Sequence, residues 1–284
     1  MKKAGVILVT LLVLSLVVSS FLGGCAPAKT TQLKVVATTS LLTYIAEQVG
    51  GDKVDVVNII PPTQHPGDFD ATPGDIQKLA EASLFLWHNF PGEVFVPDLI
   101  SSANHTGLTV VAIDNKGSWM TPQVQREAAD KIAVALSQVD SPNSAAYERA
   151  AAAYKESVTA KETELKAKLA AANLSGTNAI VSFWQADFIR WAGLNVIATY
   201  GPAELTIDAT KGLVDKGKQI GKQGGVTLVI DNLQNAKDAG KAIAEELGAH
   251  RIILSNFPGG FTDTETWEKA VDKNVELLLE AVAE

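Results

Sequence analysis

The stretch that decides the fold is Leu33–Pro62, LKVVATTSLLTYIAEQVGGDKVDVVNIIPP, where two apolar runs flank one amphipathic segment. LKVVATT and VDVVNII are short, apolar and rich in β-branched residues, which is typical of buried strands. The segment from Leu41 to Val49 predicts a helix that ends at the following Gly-Gly pair. Strand, helix and strand in this order predict the crossover unit of a parallel sheet.

The same alternation continues toward the carboxyl terminus. LFLWHN and LTVVAID predict two more strands, and Thr72-Pro73 opens a helix before the first of them as N-cap and first-turn proline. After a helical region, NAIVSF, NVIATY, TLVIDN and RIILSN predict a second set of strands, and Thr262 with Glu265 is spaced as a capping box for a closing helix. The fold class is therefore α/β, with two α/β lobes whose sheets are mostly parallel.

One long helix is predicted between the lobes, from Ser144 to about Asn173. Tyr147, Tyr154, Val158, Leu165 and Leu169 recur at intervals of seven and four, which places them on one face. About 30 residues give roughly 45 Å at 1.5 Å per residue. A helix of this length can span two lobes.

The amino terminus predicts an exported lipoprotein. Lys2 and Lys3 precede an apolar run, and Leu22-Gly23-Gly24-Cys25 is typical of a lipobox whose cleavage leaves Cys25 as the lipidated residue. Since Cys25 is the only cysteine, the exported body forms no internal disulfide. The predicted divisions are a signal peptide at 1–24, a tether at 25–31, a first lobe at 32–141, a linking helix at 142–174 and a second lobe at 175–284.

Composition and motifs narrow the class of protein. The formal net charge is −8, which argues against nucleic acid as a partner because such proteins need a basic face. The sequence contains no G-x-S-x-G, no H-E-x-x-H and no dinucleotide fingerprint. We therefore expect a binding protein and not an enzyme.

Two histidines stand at predicted strand ends, where open α/β sheets bind ligands. His65 follows VDVVNII, His88 follows LFLW, and Asp68 and Asp70 lie near His65. Imidazole is a common ligand of zinc, copper, iron and nickel. The alternative is that His65 braces a proline-rich loop and that His88 only bonds a backbone carbonyl.

Further candidates come from the remaining strand ends and loops. Trp119 and Trp184 are expected at the cleft, either as an aromatic wall for a ligand or as interface packing. Asp231 ends a strand, and Glu265 precedes the closing helix, so both could supply oxygen ligands. Glu265 could equally serve only as a helix cap.

The order and spacing of five segments resemble the metal-binding lipoproteins that serve ABC importers of zinc and manganese. These segments are KVVATTSLLTYIAEQVGGDKVDVVNIIPP, DFDATPGDIQKLAEASLFLWHN, WMTPQVQREAADKIAVAL, SPNSAAYERAAAAY and TWEKAVDKNVELLLEAV. The resemblance covers nearly the whole exported body. It implies two lobes bridged by a rigid backbone helix, with a divalent transition metal, zinc or manganese, held between them as cargo.

The family's metal ligands do not all carry over to this sequence. Gly67 stands where the resemblance implies the first metal histidine, and Gly117 stands where it implies the second. Phe183 and Trp184 occupy the third position, and Glu265 matches the last acidic one. The scaffold is thus similar, whereas the expected ligand set is largely replaced.

Three hypotheses follow from this departure. A rebuilt metal site could use His65, His88, Asp231 and Glu265; the cleft could instead bind a metal chelate or small organic molecule; or the protein could be an adhesin without a small ligand. We predict the first of these, a rebuilt metal site. The protein would then be a monomeric metal receptor that lipid on Cys25 anchors outside the cytoplasm. The resemblance implies that an ABC permease and its ATPase are the partners.

Overall fold

Two four-stranded parallel sheets, one in each half of the chain, form the framework of the molecule. The computed structural model describes residues 32–201, 205–220, 225–235 and 238–283. The predicted signal peptide and Cys25 lie outside these residues. Within the described ranges, no helix is both long and apolar enough to cross a membrane.

The first sheet has the strand order β2-β1-β3-β4, and each neighbouring pair is parallel. Its central strands are apolar on both faces because helices cover them, as expected of a parallel sheet. The elements are β1 (Leu33–Ala37), α1 (Ser40–Gly50), β2 (Val54–Asn58), α2 (Pro73–Glu81), β3 (Leu84–Trp87), α3 (Val96–Ala103), β4 (Thr109–Ala112) and α4 (Pro122–Val139). Thr72 caps α2 as predicted, in a reciprocal capping box with Asp75.

The second sheet repeats this architecture with the order β6-β5-β7-β8. Its pairs are again parallel, and β5 and β7 are buried along their whole length. The elements are β5 (Asn178–Ser182), α6 (Ala186–Ala192), β6 (Asn195–Tyr200), α7 (Ile207–Ile220), β7 (Leu228–Asn232), α8 (Lys241–Leu247), β8 (His250–Leu254) and α9 (Trp267–Ala283). The predicted fold of two α/β lobes is confirmed.

The helix between the lobes, α5, spans Ser144–Ala171 and has 28 residues. All five residues of the predicted apolar face are buried, and Ala151 joins them. This stripe packs on α1 and α4 of the first lobe and on α9 of the second, so one apolar core runs through both lobes. Two ion pairs add to this packing. Arg126 of α4 pairs with Glu162 of α5 at 2.7 Å, and Lys161 of α5 pairs with Asp272 of α9 at 2.9 Å.

Direct hydrogen bonds also join the two lobes near the ends of their strands. The fully buried Trp267 donates from Nε1 to the Met120 carbonyl oxygen at 3.2 Å. Gln234 donates to the Pro62 carbonyl at 2.9 Å, and Ser40 donates to the Pro258 carbonyl at 2.8 Å. The lobes are therefore in contact around the region where a ligand would bind.

The predicted cap of the closing helix is wrong. Helix α9 begins at Trp267, and the Thr266 hydroxyl accepts the Lys269 N–H at 3.2 Å. Asp263 has a φ of 60°, which lies outside the right-handed helical region, so no helix starts at Thr262. Glu265 therefore lies in the loop that precedes α9.

Candidate ligand-binding site

A cleft of about 400 Å³ lies between the two lobes, at the carboxyl ends of both sheets. His88 enters it directly after β3, Trp184 from the short turn after β5, and Asn232 as the last residue of β7. Ligands in open α/β sheets bind at such strand ends. The volume is within the range of small-molecule sites, about 300–1,000 Å³, and far exceeds that of a bare metal ion.

Aromatic side chains from both lobes line the cleft. Phe90 and Trp119 come from the first lobe, and Phe183 and Trp184 come from the second. The centroid of the Trp184 ring lies 5.5 Å from that of His65 and 6.1 Å from that of Phe90, so the aromatic wall crosses between the lobes. Such a wall suits a ligand with a planar or apolar part.

His88 is the more deeply buried of the two imidazoles in the cleft. Its Nε2 lies 2.7 Å from Thr39 Oγ1, and its ring is edge-on to Trp119. Burial lowers the pKa of His88 to about 3, so the ring is neutral at neutral pH. No described residue forms a hydrogen bond with Nδ1. When Nε2–H is donated to Thr39, Nδ1 carries a lone pair, which is how metal-binding histidines are usually held.

A buried carboxylate fixes the backbone beneath His88. Glu93 is 2% exposed and accepts the Thr38 hydroxyl at 2.5 Å and the His88 backbone N–H at 2.9 Å. Burial raises the pKa of Glu93 to about 7, although these hydrogen bonds oppose that shift. His88 is thus held at its ring by Thr39 and at its backbone by Glu93.

His65 is oriented in the opposite way. It caps a short turn, Pro66–Asp68, by accepting the Gly67 backbone N–H on Nδ1 at 3.0 Å. Because a backbone N–H can only donate, Nδ1 must carry the lone pair and Nε2 the proton in the neutral ring. Burial lowers the pKa of His65 and Asp68 opposes that shift, so the ring is neutral at neutral pH. The structure therefore presents His65 as an Nε2–H donor, not as a ready metal ligand.

Both glycines at the family's histidine positions have a structural reason to be glycine. A Cβ on Gly67 would lie 2.9 Å from Cε1 and Nδ1 of His65, so a larger residue there would displace the His65 ring. Gly117 has φ +89°, a left-handed conformation that favours glycine. The local backbone is therefore built without those two histidines.

The predicted metal set of His65, His88, Asp231 and Glu265 is not assembled. Asp231 lies outside the cleft and accepts Tyr200 Oη–H at 2.5 Å, the Gly240 N–H at 2.8 Å and Arg251 Nε–H at 2.6 Å. Its side chain leaves the strand on the opposite face from Asn232, since successive residues of a strand alternate.

The other predicted carboxylates are also outside the cleft lining. Glu265 is an exposed loop residue 3.6 Å from Lys269, and Asp68 and Asp70 are exposed as well. In the part of the chain that the structure describes, no three His, Cys, Asp or Glu side chains come together as a metal site. Of the eight predicted site residues within that part, His65, His88, Trp119 and Trp184 line the cleft.

Asn232 contributes differently from what its residue type suggested. The Leu254 carbonyl accepts from Gln185 at 3.2 Å, which identifies the contacting atom as the Gln185 amide nitrogen. The same nitrogen donates to Asn232 Oδ1 at 2.9 Å, so the Asn232 oxygen is already used. Its Nδ2 has no partner among the described residues. An asparagine can present either its oxygen or its N–H groups, and at Asn232 the N–H groups are the unpartnered ones.

Comparisons with known proteins agree with this architecture. A family model described as "Zinc-uptake complex component A periplasmic" matches residues 35–281. The metal ABC transporter substrate-binding lipoprotein SsaB of Streptococcus sanguinis is 27% identical over 190 residues, which cover 59% of this chain and 62% of that protein. The iron ABC transporter substrate-binding lipoprotein MtsA of Streptococcus pyogenes serotype M6 is 27% identical over 189 residues, 59% and 61% of the two chains. These alignments thus span less than two thirds of each relative.

Solved structures share the fold. The substrate-binding protein FpvC of Pseudomonas aeruginosa, solved with Ni²⁺, superposes with a TM-score of 0.75 at 20% identity over 89% of this chain and 97% of that one. A crystal structure of ZnuA gives a TM-score of 0.73 at 20% identity over 89% of this chain and 100% of that one. At these identities the likeness establishes the two-lobed fold alone.

Proposed function

Because the chain belongs to the family of the periplasmic zinc-uptake complex component A, we propose that it is the substrate-binding component of an ABC importer. Its cargo is a divalent transition metal, captured in the cleft between the lobes and delivered to a membrane permease that an ATPase drives. The names of the two relatives, a metal receptor and an iron receptor, support a metal cargo. The function requires binding and release, and no catalytic step.

One observation supports a particular form of the bound metal. The cleft measures about 400 Å³, yet no three potential metal-binding side chains meet among the described residues. A transition metal held by protein alone needs about four ligands. We infer that the metal arrives as a complex with a small organic chelator, which supplies the missing ligands and rests against the aromatic wall.

His88 is the proposed protein ligand to this complex. Its Nδ1 has no described hydrogen-bond partner, and Nδ1 carries a lone pair in the tautomer whose Nε2–H is donated to Thr39 Oγ1. His65, which the sequence suggested as a second ligand, is assigned a donor role because Gly67 occupies its Nδ1. Asp231 and Glu265 are no longer part of the proposed site.

Native mass spectrometry and elemental analysis of the protein purified from its own host test this proposal. We expect one equivalent of a metal together with the mass of an organic molecule. His88→Ala should lose that species, whereas His105→Ala should keep it because His105 precedes β4 at the opposite end of the sheet. A bare metal at full occupancy would contradict the chelate, and an organic molecule without metal would contradict the metal cargo.

The cellular location is a further part of the proposal. The lipobox at Leu22–Cys25 supports export and lipid anchoring outside the cytoplasm, and the relatives named above are lipoproteins. Incorporation of radiolabelled palmitate in the native host should depend on Cys25 and disappear in Cys25→Ala. Label that persists in the variant would contradict the anchor. We also propose a monomer, which sedimentation equilibrium can check.

A further inference from the structure

The cleft contains unused hydrogen-bond donors whose proton positions are fixed. His65 carries a proton on Nε2 because Nδ1 accepts from Gly67, and Asn232 presents Nδ2 because Oδ1 accepts from Gln185. Trp184 Nε1 is a donor in any state. All three nitrogens are buried and have no hydrogen-bond partner among the described residues.

Buried unpartnered donors also occur elsewhere, so one of them alone would carry no argument. Trp191 Nε1, for example, is buried without a partner and lies outside the cleft. The informative observation is that three donors from both lobes line one cavity, with the His65 and Trp184 rings 5.5 Å apart. A buried donor left without an acceptor is unfavourable, and a ligand that supplies the acceptor removes that cost.

The charged side chains that line the cleft balance, with two acidic and two basic residues, so they do not repel an anionic group. The two lining carboxylates are engaged, since Asp114 lies 2.8 Å from Lys131 and Asp187 lies 3.0 Å from Arg190. Lys116, also in the lining, acts on Asp114 as well, because the pKa of that carboxyl is lowered mainly by Lys131 and to a smaller extent by Lys116. One acceptor opposes this trend, because Asn115 Oδ1 is unpartnered while Nδ2 donates to Glu127.

We propose that His65 Nε2–H, Trp184 Nε1–H and Asn232 Nδ2–H form a clamp for a carboxylate or similar oxyanion group on a planar organic ligand. The clamp rests on the proposed function in one respect: it identifies the chelator as an aromatic or otherwise planar carboxylic acid. His88 Nδ1 would then contact the metal, while the three donors hold the acid. The two roles use different atoms of the same cleft.

Calorimetry on the full chain with pyridine-2,6-dicarboxylate tests the clamp. This probe is planar, carries two carboxylates and chelates Zn²⁺; pyridine-2,6-dimethanol is the matched neutral probe. We expect saturable binding of the dicarboxylate, tighter binding of its Zn²⁺ complex, and at least about tenfold weaker binding of the neutral probe. No binding of the dicarboxylate at millimolar concentration, or equal binding of both probes, would overturn the clamp.

Matched variants separate the donors from general packing. His65→Asn keeps an acceptor for Gly67 but loses the distal donor, whereas His65→Gln keeps a distal N–H. Asn232→Asp removes one donor and adds a negative charge with little change of shape, and Trp184→Phe removes another donor together with part of the aromatic surface. We expect dicarboxylate affinity to fall about 10- to 100-fold in the Asn, Phe and Asp variants, because hydrogen bonds to a charged group are lost. His65→Gln should recover part of the affinity.

Trp191→Phe is the control for the loss of an indole N–H outside the cleft, and it should bind like the wild type. Equal losses in Trp191→Phe and Trp184→Phe would overturn the clamp. Tight binding of Zn²⁺ alone, unaffected by Trp184→Phe or His65→Asn, would overturn the clamp and leave a metal receptor. Binding of the dicarboxylate with no gain from Zn²⁺ would support the clamp and contradict the metal cargo.

Discussion

Asp231 and Asn232 are neighbours at the end of β7, yet they lie in two opposite kinds of polar environment. Asp231 is fully buried among Tyr200, Gly240 and Arg251, which satisfy its carboxylate oxygens. Asn232 is also buried, but it lines the cleft and its amide nitrogen has no partner among the described residues. The difference teaches that burial alone does not identify a binding site. A buried polar group whose hydrogen bonds are all made stabilises the fold, whereas one without a partner can still bind a ligand.

The largest expected effect is on the buried hydrogen-bond network around Asp231. Asp231→Ala would leave Arg251 beside a buried vacancy, and breaking a buried ion pair costs about 3–5 kcal/mol in the free energy of unfolding. Urea denaturation measures this. Asp238→Ala removes the outer, exposed partner of Arg251 at 2.8 Å and should cost under about 1 kcal/mol. Loss of dicarboxylate affinity in folded Asp231→Ala would contradict the division between the two environments.

The second prediction tests Glu93, the buried carboxyl group that accepts the His88 backbone N–H. The pKa of Glu93 is raised from 4.5 to about 7 in the folded protein, so the folded state holds its proton more tightly than the unfolded state. The stabilisation is complete below pH 4.5 and is lost as the pH rises to about 7, by at most about 3 kcal/mol. Chemical denaturation across this range should show the decline.

Glu93→Gln imitates the protonated carboxyl and should abolish this part of the pH dependence. Glu148→Gln, an exposed change on α5, should keep the pH dependence of the wild type. An unchanged pH profile in Glu93→Gln would show that another group is responsible.

The third prediction concerns the contact that orients the cleft imidazole. Thr39→Val keeps the shape of the side chain but removes the hydroxyl beside His88 Nε2, so the affinity for the Zn²⁺–dicarboxylate complex should fall about tenfold. The variant also loses the N-cap of α1, at a cost of about 1 kcal/mol in unfolding free energy. Thr39→Ser retains the hydroxyl and should bind like the wild type. Equal affinity of the Val and Ser variants for the Zn²⁺–dicarboxylate complex would show that the Thr39 hydroxyl does not orient His88 for binding.

The smallest expected effect comes from the turn that orients His65. Gly67→Ala places a methyl group 2.9 Å from the His65 ring, which must move and lose its hydrogen bond to the Gly67 N–H. We expect dicarboxylate affinity to fall severalfold, since one such bond is worth about 1 kcal/mol. Gly74→Ala is the control, because its Cβ would lie 3.5 Å from Thr72 Oγ1, an ordinary contact. Wild-type affinity in Gly67→Ala would argue against a fixed His65 tautomer.

Much of the fold could be predicted because strands and helices leave periodic apolar patterns in a sequence. The strands around His65 and His88 were predicted, and both histidines do line the cleft. Asp231 was placed at a strand end but assigned to the cleft, because strand-end position does not reveal which face a side chain takes. Glu265 was assigned from a sequence correspondence, and the loop before α9 keeps it at the surface.

The sequence by itself determined the two α/β lobes and the long helix, because burial of apolar side chains follows the local period of each element. Only the tertiary structure decided which atoms of the cleft are free. The Gly67 N–H fixes the proton of His65, and the Leu254 carbonyl fixes the amide of Gln185 and, through it, that of Asn232. These are contacts between groups whose pairing depends on three-dimensional packing, so no pattern along the chain reports them.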